Sequence, residues 1–161
     1  LDDDNYITEL ENTIKIINFL DNFPIYQLVG GICVDRKIIY NDFFMTYSGL
    51  FKKIEKDNIF LKPNEEKIKN IFIDNIYKTH ICLNLFIART GILKEFKWDE
   101  KIKLGEHEVF FYNLYKNNIK IAICYDFNIR EITDERRNYL KSKRNIHLSY
   151  KRIYNLIPYK N

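Results

Sequence analysis

Only three cysteines occur in 161 residues, Cys33, Cys82 and Cys124, and they are not spaced as metal ligands. Each lies in an apolar run, so all three read as buried thiols. Glycine (5) and proline (3) are scarce, and no linker or internal repeat divides the chain. No apolar run approaches the length of a membrane span, and no signal peptide is visible. The chain starts without Met, so an anchor ahead of it stays open. No charge of one sign dominates: 26 Lys and Arg stand against 22 Asp and Glu, leaving +4 and no global signal for a polyanion partner. Among the three histidines, His80 and His147 have no partners at metal-ligand spacing and read as structural.

What is present describes a folded unit. Hydrophobic content of 46% and aromatic content of 16% exclude disorder. The length fits one domain, residues 1–161, with a core of its own. The abundance of Ile, Asn, Lys, Tyr and Phe has the look of AT-rich codon usage and is not read as function.

Along the chain, Thr8 and Glu11 form a capping box. Leu10, Ile14, Ile17 and Leu20 follow at helical spacing, predicting a helix from Thr8 to Phe23 that Pro24 ends. Tyr26 to Val34 reads as a strand. Its Gly30-Gly31 pair marks a bulge or a close backbone approach to a ligand. Asp35 to Asn41 is a polar turn, Phe43 to Ile54 is strand or helix, and Lys62 to Glu66 is a loop. His80 to Ala88 reads as a buried strand with Asn84 as its polar exception. Thr90 then caps a short helix through Phe96, and Trp98-Asp99-Glu100 turns. Glu106 to Tyr115 is a helix with a Phe110, Phe111, Leu114 stripe, and Lys120 to Cys124 is a short strand. Residues 133–161 form a basic C-terminal extension, helical from Asp134 to Leu156 and rich in Tyr. The fold class is α/β.

The chain opens on Leu1-Asp2-Asp3-Asp4-Asn5. Three carboxylates in a row suit a hard divalent cation held against a diphosphate. In an extended segment Asp2 and Asp4 share a side, while Asp3 faces away or caps the next helix. The plain alternative is a solvated acidic terminus beside a helix dipole.

The order of pieces is specific. Leu1-Asp2-Asp3-Asp4 is followed by Leu28-Val29-Gly30-Gly31. Next come Asn84-Leu85-Phe86-Ile87-Ala88-Arg89-Thr90, then Trp98-Asp99-Glu100, then Gly105-Glu106-His107-Glu108-Val109-Phe110-Phe111. Over Leu1 to Asp126 this resembles the second half of a GT-A glycosyltransferase of the family 2 type. More narrowly, it resembles the β-1,4-N-acetylgalactosaminyltransferases of ganglioside synthesis and their microbial relatives. The resemblance implies a partial GT-A, Rossmann-like mixed sheet flanked by helices, lacking the N-terminal nucleotide-binding strands. It implies an inverting, metal-assisted transfer of a hexose, GalNAc or GlcNAc from a UDP-sugar to a glycan or lipid-linked hydroxyl. Asp2-Asp3-Asp4 would be the DxD motif, with Asp2 and Asp4 ligating Mn²⁺ or Mg²⁺ and Asp2 and Asp3 meeting the donor. Glu106, His107 and Glu108 fall where a general base deprotonates the acceptor, the base position itself on His107 with Glu106 or Glu108 able to serve instead; their alternative is an acidic first helical turn.

Gly30 and Gly31 would border the substrate. Asn84 would serve the sugar site or be a satisfied core amide. Arg89 would reach a phosphate or carboxylate, or form a surface ion pair. Trp98 would stack on a sugar ring or lie in the core. Such enzymes often carry a metal-ligating His after the last short strand. Here Asp126 to Glu131 has none, and Glu131 is the nearest substitute. The implied compartment is the Golgi lumen in a eukaryote and the cytoplasm in a microbe or virus. Membrane association would come through a segment ahead of Leu1, and a nucleic-acid partner is not expected. The rival reading is a non-catalytic binding module, its basic, Tyr-rich surface from Arg136 to Lys160 facing nucleic acid or an anionic membrane. Such a module has no use for two acidic motifs.

Overall fold

A computed structural model describes residues 5–7, 10–33, 48–53, 59–62, 66–102 and 106–131; at residues 5, 6, 52, 53, 59–62, 130 and 131 it describes the backbone alone. In chain order the elements are β1 (Asn5–Ile7), α1 (Leu10–Asn22), β2 (Tyr26–Cys33), β3 (Leu50–Lys53), β4 (Ile59–Lys62), β5 (Ile76–Thr79), β6 (Phe86–Ala88), α2 (Thr90–Glu95), α3 (Glu106–Lys116) and β7 (Lys120–Glu131).

The sheet is built on a parallel pair. β2 runs alongside β7 from Tyr26↔Lys120 to Cys33↔Ile129. β6 lies antiparallel on the outer side of β2, with Gly30 opposite Phe86. On the outer side of β7, β5 pairs with Ile121 to Cys124 and β1 with Ile129 to Glu131, both antiparallel. The result is a five-stranded mixed sheet. β3 and β4 form a separate hairpin.

Both faces of the sheet are covered, which is why β2 is apolar along its length. Val29 and Cys33 join Ile16, Phe19 and Leu20 of α1, with Ile68, Ile73, Phe127 and Ile129, on one face. Leu28 and Ile32 join Phe110, Phe111 and Leu114 of α3, with Phe51 and Ile92, on the other. All three cysteines are buried and outside any disulfide. Burial raises the thiols of Cys82 and Cys124, the latter to about 11, so both are poor nucleophiles.

Several expectations are corrected. α1 does not bury Leu10, Ile14 and Ile17, which are 70%, 55% and 45% exposed. The helix carries two apolar stripes, and the one containing Ile16 and Phe19 wins. Phe19 stacks with Phe23 at 4.9 Å and meets Tyr26 at 5.4 Å. Asn12 on the same face donates to Asp126 O at 2.7 Å. Thr8 lies outside the described residues, and Glu11 pairs with Lys15 at 2.7 Å. The apolar run from His80 is a strand only over Phe86–Ala88. α2 is capped by Arg89, not Thr90, and without a side-chain bond. The last strand continues past Cys124 to Glu131. Asp35 to Asn41, Pro63 to Glu65 and residues 133–161 lie outside the described residues.

α3 ends as its sequence allows. Asn118 takes φ 57°, the left-handed conformation that Asn tolerates. Ile119 N then donates to Leu114 O at 3.0 Å and Asn118 N to Tyr115 O at 3.0 Å, closing the last turn.

The bulge read at Gly30-Gly31 is present, as a register shift between Gly30 and Ile32. A Cβ at Gly31 would lie 2.3 Å from Phe127 O and 2.7 Å from Leu85 Cδ2. Neither the backbone oxygen nor the packed side chain can retreat freely. Gly31→Ala is therefore expected to destabilise the fold by about 3 kcal/mol, read as a lower urea midpoint at unchanged slope. A variant within about 0.5 kcal/mol of wild type would show that the approach is not tight.

Candidate functional site

The first turn of α3 brings together the residues expected to move a proton. His107 Nε2 lies 2.6 Å from Cys82 O. A carbonyl only accepts, so Nε2 carries a proton. The ring meets Phe111 edge-on at 4.9 Å. The bond fastens the start of α3 to the segment before β6, and the ring contact lies within the helix. Glu106 and Glu108 are half-buried beside it. Burial pushes the Glu108 carboxyl above its ordinary value of 4.5, opposed in part by its own backbone amide. A desolvated carboxylate seeks a proton, as a general base must.

Two further expected residues border this turn. Asn84 is exposed between buried Leu83 and Leu85, two residues from the carbonyl that holds His107. It is neither on a buried strand nor a core amide. Trp98 stacks on Phe110 at 3.8 Å and lies parallel to Phe86 at 6.1 Å, while remaining half-buried. Its core role is thus realised.

Three others are used by the protein itself. Gly30 and Gly31 are buried, and the close approach expected of a ligand is made by Cys82, Leu85 and Phe127. A Cβ on Gly30 would lie 2.4 Å from Cys82 Sγ. The Arg89 guanidinium donates through Nη2 to Leu20 O, an otherwise open carbonyl in the last turn of α1. Its Nη1 is 4.0 Å from Asp21 Oδ1, and Nε is buried with no partner among the described residues. Arg89 therefore ties β6 to α1 rather than standing free for a phosphate.

His80 is structural, as read. Its Nδ1 accepts from Phe51 N at 2.8 Å, and its ring lies 4.4 Å from that of Tyr115. Burial lowers its pKa below the ordinary 6.5. This pin stabilises the fold above that value and is lost as pH falls through the lower folded one.

At the far end of β7 stands β1, which follows the acidic triplet in sequence. Asp2, Asp3 and Asp4 are outside the described residues, and Glu131 is described in its backbone. The register is described: Asn5, which follows the triplet, stands opposite Glu131. Among the described residues no three His, Cys, Asp or Glu gather to hold a metal. Sequence reading overlooked the polar groups just before this end. Asn12 and Asn75 both donate to Asp126, the latter to Oδ1 at 2.8 Å. The available signal was Asn12 itself, a polar residue one turn before Ile16 on the buried face of α1.

Comparison with known proteins finds no match among family models, curated proteins or solved structures.

Glu108 generates a pH-dependent prediction. A raised carboxyl contributes stability that is present below its ordinary value and lost as pH rises through the folded one. Glu108→Gln should thus melt at a higher temperature than wild type at pH 7, with the gain gone below pH 4.5. A lower melting temperature at pH 7 would mean that the charged form is well solvated or paired.

Proposed function

We propose that this α/β unit is the acceptor-side half of an inverting GT-A glycosyltransferase. It would transfer a hexose or N-acetylhexosamine from a UDP-sugar to a hydroxyl of a glycan or glycolipid. One observation carries the reading: β1 pairs with β7 so that Asn5, the residue after the acidic triplet, stands opposite Glu131. Cross-strand partners share a side of the sheet, so Asp2 and Asp4 would join Glu131 as one oxygen-donor set, of the hard chemistry that Mg²⁺ and Mn²⁺ prefer, only where the chain turns out of the ladder ahead of Asn5. A divalent cation bound there would neutralise the leaving diphosphate. β2 and β7 run parallel toward this end, and α/β sheets take ligands beyond the carboxyl ends of such strands.

The base comes from the first turn of α3. The acceptor oxygen attacks the anomeric carbon as the bond to the UDP phosphate oxygen breaks. The hydroxyl proton goes to the Glu108 carboxylate, with His107 Nδ1 and Glu106 as the alternatives within the turn. A single displacement inverts the anomeric centre. The reading is supported by the link between the two motifs. Gly30 touches Cys82, which holds His107, and Cys33 stands opposite Ile129, two residues before Glu131. Gly30 and Cys33 are three residues apart on β2, and Glu131 lies two residues beyond the partner of Cys33, so the two ends are about 17 Å apart along the strands. The exposed amide of Asn84, two residues after Cys82, would meet the acceptor.

Calorimetry with UDP tests the donor side. The isolated chain should bind UDP only with Mn²⁺ present, more weakly than about 10 μM, and Asp4→Ala should abolish that binding. UDP binding that ignores the metal, or none at millimolar UDP with Mn²⁺, would overturn the reading. In a form that turns over, Glu108→Gln should lower kcat by about 10²–10⁴-fold with donor affinity unchanged. Wild-type rates in Glu106→Gln, His107→Ala and Glu108→Gln alike would reduce the segment to a helix start.

A further inference from the structure

We infer that the outward stripe of α1, formed by Leu10, Ile14 and Ile17, is the seat of this chain's own C-terminal segment, residues 146–157, which packs along it as a further helical layer. The seat is independent of the donor and acceptor chemistry proposed above.

α1 is apolar on two sides, and the sheet uses one of them. Ile16, Phe19 and Leu20 are buried with Ile68, Ile73 and Phe127. Leu10, Ile14 and Ile17 on the other side are left 70%, 55% and 45% exposed. Apolar side chains scattered singly over a surface need no explanation, but these three stand at i, i+4 and i+7 and line one side of the helix. A helix with two such sides is suited to lie between two layers. The sheet is one layer, and the exposed stripe faces the place of the other.

The topology brings the C-terminal segment to this stripe. β7 ends at Glu131, which stands opposite Asn5, and Asn5 precedes Leu10 by five residues. The chain beyond Glu131 therefore leaves the sheet close to the first turn of α1. Thirty residues follow it, and among them Ile146, Tyr150, Ile153 and Ile157 recur at intervals of four, three and four. Leu10, Ile14 and Ile17 have the same intervals of four and three. As a helix, residues 146–157 would be about 18 Å long, against about 20 Å for the 13 residues of α1. Residues 132–145 can extend to about 46 Å, so reach does not limit the docking. Charge agrees. Between Arg136 and Lys160 there are eight Lys and Arg and no Asp or Glu. The stripe of α1 runs on to Asp21, whose side chain is 66% exposed and whose nearest described cation, Arg89 Nη1, is 4.0 Å away. Tethering holds the segment at an effective concentration on the order of millimolar, which a second copy in dilute solution does not reach.

The test is hydrogen exchange of the full chain read by mass spectrometry, with circular dichroism as the control for folding and sedimentation as the control for mass. In the monomer, residues 146–157 should exchange at least about tenfold more slowly than a free peptide of the same sequence. Ile14→Asp and Ile17→Asp change exposed positions, so both variants should fold, and each should remove that protection. Ile25→Asp alters an exposed isoleucine outside the stripe (57% exposed) and should keep it. In nuclear Overhauser spectra the methyl groups of Ile14 or Ile17 should meet side chains of residues 146–157 within one chain. Free-peptide exchange of residues 146–157 in the folded wild type would overturn the inference. So would protection that survives both Ile14→Asp and Ile17→Asp, or that Ile25→Asp removes equally. Protection that appears only as the chain dimerises, with contacts only between differently labelled copies, would give the stripe to a second copy and overturn it as well.

Discussion

Because Gly30 and Gly31 have no Cβ, two segments come against β2 that no other residue would admit. Cys82 lies where a side chain on Gly30 would be, and Phe127 O where one on Gly31 would be. Both ends of the candidate site depend on these contacts. Through Cys82 the segment before β6 reaches α3, because the Cys82 carbonyl holds His107. Through Phe127 the sheet accepts the step in β7, after which β1 can pair and Asn5 can meet Glu131. The glycines are not a ligand's doorway. They are the close packing that admits Cys82 and Phe127 against β2.

Much of this was legible in the sequence where one periodicity acts alone. α3 carries a single apolar stripe, and Phe110, Phe111 and Leu114 are buried as read. β2 is a run of apolar residues bounded by Pro24, and its bulge follows from the glycine pair. α1 misled because it carries two stripes. Spacing cannot choose between Leu10, Ile14, Ile17 and Ile16, Phe19, Phe23; Asn12 and the stacked aromatics choose. β7 looked short because Asp126 interrupts the alternation after Cys124, where the step lies. The apolar run from His80 looked like one strand because burial alone was visible. In fact Ile81, Cys82, Leu83 and Leu85 pack as an irregular segment whose backbone link to β2 is Gly31 N donating to Leu85 O at 2.9 Å.

At the site, residue type was legible and commitment was not. An Arg at the end of a strand can meet a phosphate or a helix end, and only the position of Leu20 O decides for the latter. A Trp can serve a sugar or the core, and the 3.8 Å stack on Phe110 serves the core. The acidic turn of α3 shows the reverse. Its favourable place at a helix start was the plain reading, yet Glu108 is desolvated enough that its carboxyl is raised. A residue present only to cap a helix would gain from staying charged and solvated. Glu108 gives up some of that advantage through burial.

Under the proposed reading the two acidic motifs would have opposite electrostatic needs. A base must hold its proton affinity up, whereas metal ligands must give theirs away to bind a cation. A cation close to Glu108 would pull its pKa down and undo the effect of burial. Coulomb interaction falls inversely with distance, so a charge at about 10 Å acts about half as strongly as one at about 5 Å in the same medium. Separation along the sheet would therefore serve such a base, and β2, buried on both faces and paired on both edges, is a rigid spacer.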